Sequence, residues 1–158
     1  MTRLQPERIS GHLVQLPELL RVTAVALCVE IGLRTTTLPR LADFLGVPLA
    51  VDDAGHVRQP SSGQGAEPFV LPSAARRRLR ATRTVMSHWP LGDTCLRQAL
   101  VSGQRIRQLK PHLHVGVAKV GGEVRAHAWL AVGETVIDPM RAAGSYLPLS
   151  VPRTGTPP

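Results

Sequence analysis

Three residues in the second half of the chain have the types that nucleophilic catalysis requires. Cys95 follows a turn, His127 lies in a run of alternating residues, and Asp138 ends the next short run. A thiolate attacks a carbonyl carbon, an imidazole carries the proton, and a carboxylate orients the imidazole. The sequence therefore offers a candidate Cys-His-Asp triad. A buried cysteine, a strand histidine and a turn aspartate without shared chemistry would present the same residue types.

Two short turns predict how strands would position His127 and Asp138. A two-residue turn at Gly133-Glu134 fixes a hairpin register that puts both side chains on one face, as diagonal neighbours, with Trp129. A turn at Gly121-Gly122 puts Gly116 opposite His127, which leaves space above the imidazole. The other face of this antiparallel meander is predicted to be apolar and to collect Leu113, Val115, Val117, Val124, Ala126, Ala128, Leu130 and Ile137.

A helix is predicted to begin at Cys95, with Asp93 or Thr94 as its N-cap. The unpaired N–H groups and partial positive charge of a helix N-terminus favour a thiolate and can hold an oxyanion. The helix is expected to end before Pro111 and to turn Leu96, Ala99, Leu100, Ile106 and Leu109 inward. Gly103 should weaken or kink it, by about 1 kcal/mol relative to alanine.

The first half of the chain is predicted to supply helices around this unit. Residues 9–33 have a helical repeat of apolar positions, 39–45 form a short helix that Gly46 ends, and 74–87 form a basic helix. We expect an N-terminal helical segment at 1–51, a Gly-, Pro- and Ser-rich linker at 52–73 and an α+β core at 74–158, with 1–51 packed on the core. The apolar repeat of the first helix is formed by Leu13, Leu16, Leu20, Ala24, Leu27 and Ile31.

Composition excludes several classes of protein. The 158 residues are 43% apolar and 19% charged, which suits a folded chain. Two cysteines without paired spacing exclude a disulfide-rich scaffold and a structural zinc finger, and Cys28 is expected to be a buried small side chain. The apolar stretch 13–33 contains Pro17, Glu18, Arg21 and Glu30, too polar for a membrane span or a signal peptide. A reducing, cytoplasmic location is expected.

The net charge of +8 is concentrated in the middle of the chain. Residues 70–125 contain eleven basic side chains but only Asp93 and Glu123 as acidic ones. Such a block suits an acidic polymer or an acidic peptide, and it equally suits a solvated helix face. Nucleic acid is not the expected partner because no aromatic residues interleave with the arginines for base stacking. His112 and His114 share a strand face, but no third ligand follows at metal spacing, so no metal is expected.

An ordered set of short runs extends from Trp89 to Asp138. After Trp89 it comprises CLRQAL at 95–100, Gly116-Val117, AHAW at 126–129 and IDP at 137–139. In order and spacing the set resembles the transglutaminase-like cysteine peptidases of lasso-peptide biosynthesis, the leader peptidases related to the microcin J25 maturation protease. The helix at 9–33 and the linker after it are similar to the N-terminal part of the stand-alone form. The chain departs from the family at Val101–Gln104, where leucines are usual, and at 110–112, where a Gly-hydrophobic-Pro turn is common.

The resemblance implies a papain/transglutaminase-like core and removal of the leader from a ribosomally made precursor peptide. Cys95 would be the nucleophile, His127 the base and later acid, and Asp138 the orienting carboxylate. Trp89 and Trp129 would contact the substrate, the penultimate leader residue would be a threonine, and no cofactor would be needed. The freed amine would then be joined to an acidic side chain by a separate ATP-dependent cyclase, a further partner.

The resemblance also implies a separate partner that delivers the leader. Many relatives carry a small winged-helix recognition module, for which residues 1–72 are too short and too helical. The basic helix, through Arg76, Arg77 and Arg80, is the candidate docking surface. Two other readings stay open: a transglutaminase-type acyl transferase with the same triad, and a non-catalytic basic module that binds RNA or an acidic protein.

Overall fold

The structure, a computed structural model, describes residues 16–50, 70–133, 135–138, 144 and 146–148. Most of the predicted linker, residues 52–69, lies outside these ranges, and so does Leu13 of the apolar repeat. In chain order the described elements are α1 (Leu16–Thr35), α2 (Leu38–Leu45), α3 (Ser73–Met86), α4 (Cys95–Arg105), a 3-10 turn (Arg107–Leu109), β1 (His112–Val120), β2 (Glu123–Val132), β3 (Thr135–Ile137) and β4 (Leu147–Pro148).

The sheet has the order β3-β2-β1-β4, and every neighbouring pair is antiparallel. Val132 pairs with Thr135, and Gly116 pairs with His127, so both predicted hairpin registers are confirmed. Gly133 has a φ of 55°, a left-handed value that glycine adopts without the steric cost of a Cβ. Strand β4 was not expected from the sequence, and among the described residues it pairs with β1 at Gly116 and Val117.

Helix α4 lies at the centre of the fold. Its residues from Gln98 to Gly103 are all buried, and it packs against β2 on one side and against α1 and α3 on others. Leu100, Val101 and Leu113 are completely buried in the shared core. The predicted α+β class, with this helix packed on a small antiparallel sheet, is therefore confirmed.

Helix α1 buries a different face from the one that its apolar repeat predicted. Leu16, Leu20, Leu27 and Ile31 are 51–69% exposed, and Ala24 and Cys28 are exposed as well. The prediction that Cys28 is buried is therefore wrong. The buried face instead carries the small and branched residues Val22, Ala26, Val29 and Gly32, together with Glu30. Because α1 is apolar around most of its circumference, periodicity indicated a helix without identifying the face that packs.

The apolar face of the sheet is covered at one end only. Leu113, Ala128, Leu130 and Ile137 belong to the core, as predicted. Val124 is 75% exposed and Ala126 is also exposed, so the prediction for the hairpin end is wrong. No element among the described residues buries that end of the β1–β2 hairpin.

The end of α4 also differs from the prediction. The α-helix stops at Arg105, and the 3-10 turn leads to Lys110, whose φ of 51° is left-handed. That turn shifts the backbone out of the helix path five residues earlier than the proline would. Leu109, in that turn, is consequently only half-buried, whereas Ile106 is completely buried. Leu96, at the other end of the helix, is also half-buried.

Gly103 lies within the continuous helix α4 and allows a close approach of neighbouring side chains. A Cβ at this position would lie 2.6 Å from Val47 Cγ1 and 3.2 Å from Leu130 Cδ2. Glycine at this position, where the similar peptidases usually have leucine, therefore has a packing reason. A side chain here would enter volume already occupied by Val47, in the segment after α2.

We expect Gly103→Ala to destabilise the protein although alanine is the better helix former. Overpacking against Val47 should cost about 1–3 kcal/mol, more than the helix propensity of about 1 kcal/mol that alanine supplies. Urea unfolding measures the difference. In a Val47→Ala background the same change should become neutral or stabilising, which a double-mutant cycle detects. A stabilising Gly103→Ala in the wild-type background would contradict the close packing.

No described helix has the length and apolarity needed to cross a membrane.

Candidate active site

Cys95 is the first residue of α4. Thr94 caps the helix, and its Oγ1 accepts a hydrogen bond of 3.4 Å from the backbone N–H of Arg97. Of the two predicted caps, Thr94 is thus the one observed. The N–H groups of Cys95 and Leu96 have no partner within the helix, as at any helix start. The thiol of Cys95 is free and half-buried, packed against the edge of the core.

His127 and Asp138 meet on the face that the hairpin register predicts. His127 Nε2 lies 3.0 Å from Asp138 Oδ2, and each side chain is only 4% exposed. A carboxylate at this distance holds the proton on Nε2 and leaves Nδ1 as the nitrogen that can accept a proton. The pair therefore has the geometry of a base and its orienting group.

Two aromatic rings contact the imidazole. The ring of Trp129 stacks on His127 with centroids 5.9 Å apart, and the ring of Tyr146 tilts onto it at 5.0 Å. Trp129 also stacks on His114, with ring centroids 5.7 Å apart. Trp129 is 3% exposed and is therefore buried between its ring neighbours. This packing restricts the rotation of the imidazole.

Tyr146 is a site residue that the sequence analysis missed. It immediately precedes β4, which pairs with β1 at Gly116, the residue opposite His127. A tyrosine eight residues after a candidate triad member, in a chain with a single tyrosine, was the available indication.

The structure does not join all three candidate residues by direct bonds. Within the described ranges, no hydrogen bond connects Cys95 Sγ with His127, while His127 and Asp138 are bonded. Gln98, on the first turn of α4, donates through Nε2 to both carboxylate oxygens of Asp93, at 2.7 and 2.8 Å. This contact ties the loop before Cys95 to the first turn of α4.

Two ion pairs attach α4 to α1. Glu30 accepts from Arg97 Nε at 2.8 Å and from its terminal nitrogen at 3.3 Å, and Arg34 approaches to 3.0 Å. At the other end of α4, Arg105 pairs with Glu18. The two contacts require α1 and α4 to run antiparallel, and they hold the helix that begins with Cys95 at both ends. The hydrogen bond from Arg97 lowers the pKa of Glu30 below its usual value, against the opposing effect of burial.

We expect Glu30→Gln to lower the melting temperature by several degrees at neutral pH. A carboxyl whose pKa is depressed by folding stabilises the fold above its unfolded pKa, and the contribution disappears as pH falls through the lower folded value. The gap between wild type and variant should therefore narrow below about pH 4.5, the ordinary value. Thermal unfolding from pH 7 to pH 3 measures it. Glu123→Gln, at a carboxylate whose side chain is 76% exposed, is the control. Equal effects of the two changes would refute a stabilising role for the contact between Glu30 and Arg97.

The other predicted site residues occupy separate places. Trp89 is half-buried in the turn between α3 and α4 and packs on the core, and direct substrate contact by Trp89 or Trp129 stays a prediction. Arg76 and Arg77 are exposed on α3, and Arg80 lies on the same helix at the rim of a pocket. No cluster of three metal-ligating side chains occurs among the residues the structure describes.

Comparison with known protein families gives one match, to the transglutaminase-like superfamily, over residues 37–151. That range contains all three candidate triad residues and every described strand. Comparisons with curated proteins and with solved structures give no significant match. The superfamily includes cysteine peptidases and acyltransferases, chemistries that share an acyl-enzyme on a cysteine. Because the match spans well over half of the chain, the protein belongs to the transglutaminase-like superfamily.

Proposed function

We propose that the protein is a cysteine peptidase that removes the leader from a ribosomally made lasso-peptide precursor in the cytoplasm, before macrolactam cyclisation. The observation that carries the proposal is the 3.0 Å contact between His127 Nε2 and Asp138 Oδ2, in a fold where Cys95 opens the central helix. The superfamily supports a thiol-based acyl transfer. The ordered runs from Trp89 to Asp138 support the lasso-specific part.

In this mechanism His127 Nδ1 takes the proton of Cys95, and the thiolate attacks the carbonyl carbon of the scissile peptide bond. The N–H groups at the start of α4 stabilise the oxyanion. His127 then gives its proton to the departing amine, which leaves with the core peptide. Water attacks the thioester after His127 removes its proton, and the leader is released as a carboxylic acid. Asp138 stabilises the imidazolium in both halves of the reaction.

Mass analysis of the products tests the proposal. A synthetic precursor with a penultimate leader threonine should yield a free leader acid and a core peptide with a free amine. An acyl transferase with the same triad would instead attach an added amine, such as glycine amide, to the leader and increase its mass. The assay includes a recognition protein and a cyclase from the same gene neighbourhood. If neither the cleavage products nor the transfer product forms, the basic binding module is the better explanation.

The partner part of the proposal is a separate leader-recognition protein that docks on α3. Tethering the leader near Cys95 raises its effective concentration, which can accelerate cleavage by several orders of magnitude. Arg76 and Arg77 are exposed and adjacent on this helix. Arg80 is the third residue of this candidate docking surface, but it also borders a pocket, so Arg76 and Arg77 are the residues to replace.

We expect Arg76→Ser/Arg77→Ser to reduce partner-stimulated cleavage at least several-fold at low salt, and less at high salt because screening weakens the wild-type contact too. Thiol labelling of Cys95 should not change. Lys119→Ser/Arg125→Ser, at two exposed basic residues on the β1–β2 hairpin, provides a charge-matched control. Stimulation that survives in the α3 variant at all salt concentrations would place the docking surface elsewhere, with α1 the next segment to test.

A further inference from the structure

A pocket of about 320 Å³ lies between α3, α4 and β3. Its apolar walls are formed by Leu71, Leu79, Val136 and Ile137. The volume is at the lower end of the range of about 300–1,000 Å³ that is typical of ligand sites, enough for one or two side chains. The shape and lining favour a small apolar group over a large cofactor.

The pocket adjoins the candidate active site. Asp138, which bonds His127, contributes to the lining, and so does Gln98, one helical turn after Cys95. A peptide held at Cys95 would therefore have a neighbouring side chain within reach of this cavity.

The polar groups of the pocket indicate what else the ligand carries. Ser102 is 3% exposed and lines the pocket, so it brings a hydroxyl to an otherwise largely apolar wall. A hydroxyl at this position can donate to a carbonyl oxygen of a ligand in the pocket. Arg80 and Arg83 line the pocket as well, and neither forms an ion pair within the described part of the chain. Their guanidinium groups match a carboxylate.

We propose that this pocket is a specificity subsite that binds an aliphatic side chain of the peptide substrate, with a flanking acidic residue paired to Arg80 and Arg83. The inference rests on the proposed peptidase function, since that function makes the ligand a peptide. Ser102 donates to a carbonyl oxygen at the inner end of the pocket. This assigns Arg80 to substrate selection, while Arg76 and Arg77, one turn earlier on α3, remain outside the lining.

Binding of blocked tripeptides to the Cys95→Ala protein tests the subsite without turnover. The probes are acetyl-Glu-Leu-Glu-amide, acetyl-Lys-Leu-Lys-amide and acetyl-Glu-Ser-Glu-amide, with octanoate as a non-peptide carboxylate. Methyl NMR signals of Val136 and Ile137 report occupancy. We expect the Glu-Leu-Glu probe to shift these signals and to bind about tenfold more tightly than the Lys-Leu-Lys probe, as two partly exposed ion pairs would allow.

Charge reversal provides the decisive comparison. Arg80→Glu/Arg83→Glu should invert the preference toward the Lys-Leu-Lys probe, whereas Arg76→Glu/Arg77→Glu, with the same charge change on the same helix, should retain the wild-type order. Ser102→Ala should weaken all peptides a few-fold and leave octanoate unaffected. Equal binding of acidic and basic probes, shifts remote from Val136 and Ile137, or tighter binding of octanoate would each overturn the subsite.

Failure of the subsite and failure of the peptidase proposal are distinguishable. Probe binding is measured with Cys95 absent, so an inactive wild-type protein that still binds the acidic probe refutes only the peptidase. Conversely, a protein that cleaves its precursor but shows no charge preference refutes only the subsite.

Discussion

Cys95→Ala protein should be folded and unable to cleave the precursor. The acyl-enzyme needs the sulfur, so turnover should fall by about 10⁴-fold or more, while a half-buried methyl in place of a thiol changes the packing little. Mass analysis of precursor processing measures the activity, and thermal unfolding compares the fold with the wild type. Cys28→Ser, at an exposed thiol on α1, is the matched control and should process the precursor normally.

Iodoacetamide labelling gives a second measurement on the intact protein. Cys28 is exposed and Cys95 is half-buried, so access alone favours labelling at Cys28. Faster labelling of Cys95 below neutral pH would therefore report thiolate character at the start of α4. Labelling in proportion to exposure, or processing that survives Cys95→Ala, would refute Cys95 as the nucleophile.

Asp138→Asn should give a folded enzyme whose turnover is about 10⁴-fold lower. The carboxylate keeps a proton on His127 Nε2, across the 3.0 Å contact, and so leaves Nδ1 able to accept the thiol proton. An asparagine amide can donate to Nε2 and stabilise the opposite tautomer, in which Nδ1 carries the proton. Its shape is nearly the same as that of aspartate, so stability should change far less than activity.

Single-turnover kinetics with the precursor measures the Asp138→Asn effect. Asp43→Asn, at an exposed carboxylate on α2, controls for the loss of one negative charge and should keep wild-type turnover. If Asp138→Asn also keeps wild-type turnover, the third residue of the triad is another group. Gln98 would be tested next, although its amide is already bonded to Asp93.

The sequence by itself determined the local geometry of the candidate site. A two-residue turn leaves one register for the strands beside it, so Gly133 and its neighbour sufficed to put His127 and Asp138 on one face. The start of α4 could also be predicted, because a capping threonine and the apolar repeat are adjacent in the chain. Both features depend on residues within a few positions of each other.

Only the tertiary structure decided which surfaces meet. Helix α1 is apolar on two sides, and the side that packs was selected by small residues and by the ion pair of Glu30 with Arg97, 67 positions away. The role of Gly103 follows from its close approach to Val47, and that of Tyr146 follows from its ring contact with His127. Neither contact is visible in the sequence. The pocket of Arg80, Ser102 and Ile137 likewise draws on three elements distant in sequence. Periodicity reports how apolar each face is, but the partner of a face is fixed by shape and charge across the fold, which no local pattern contains.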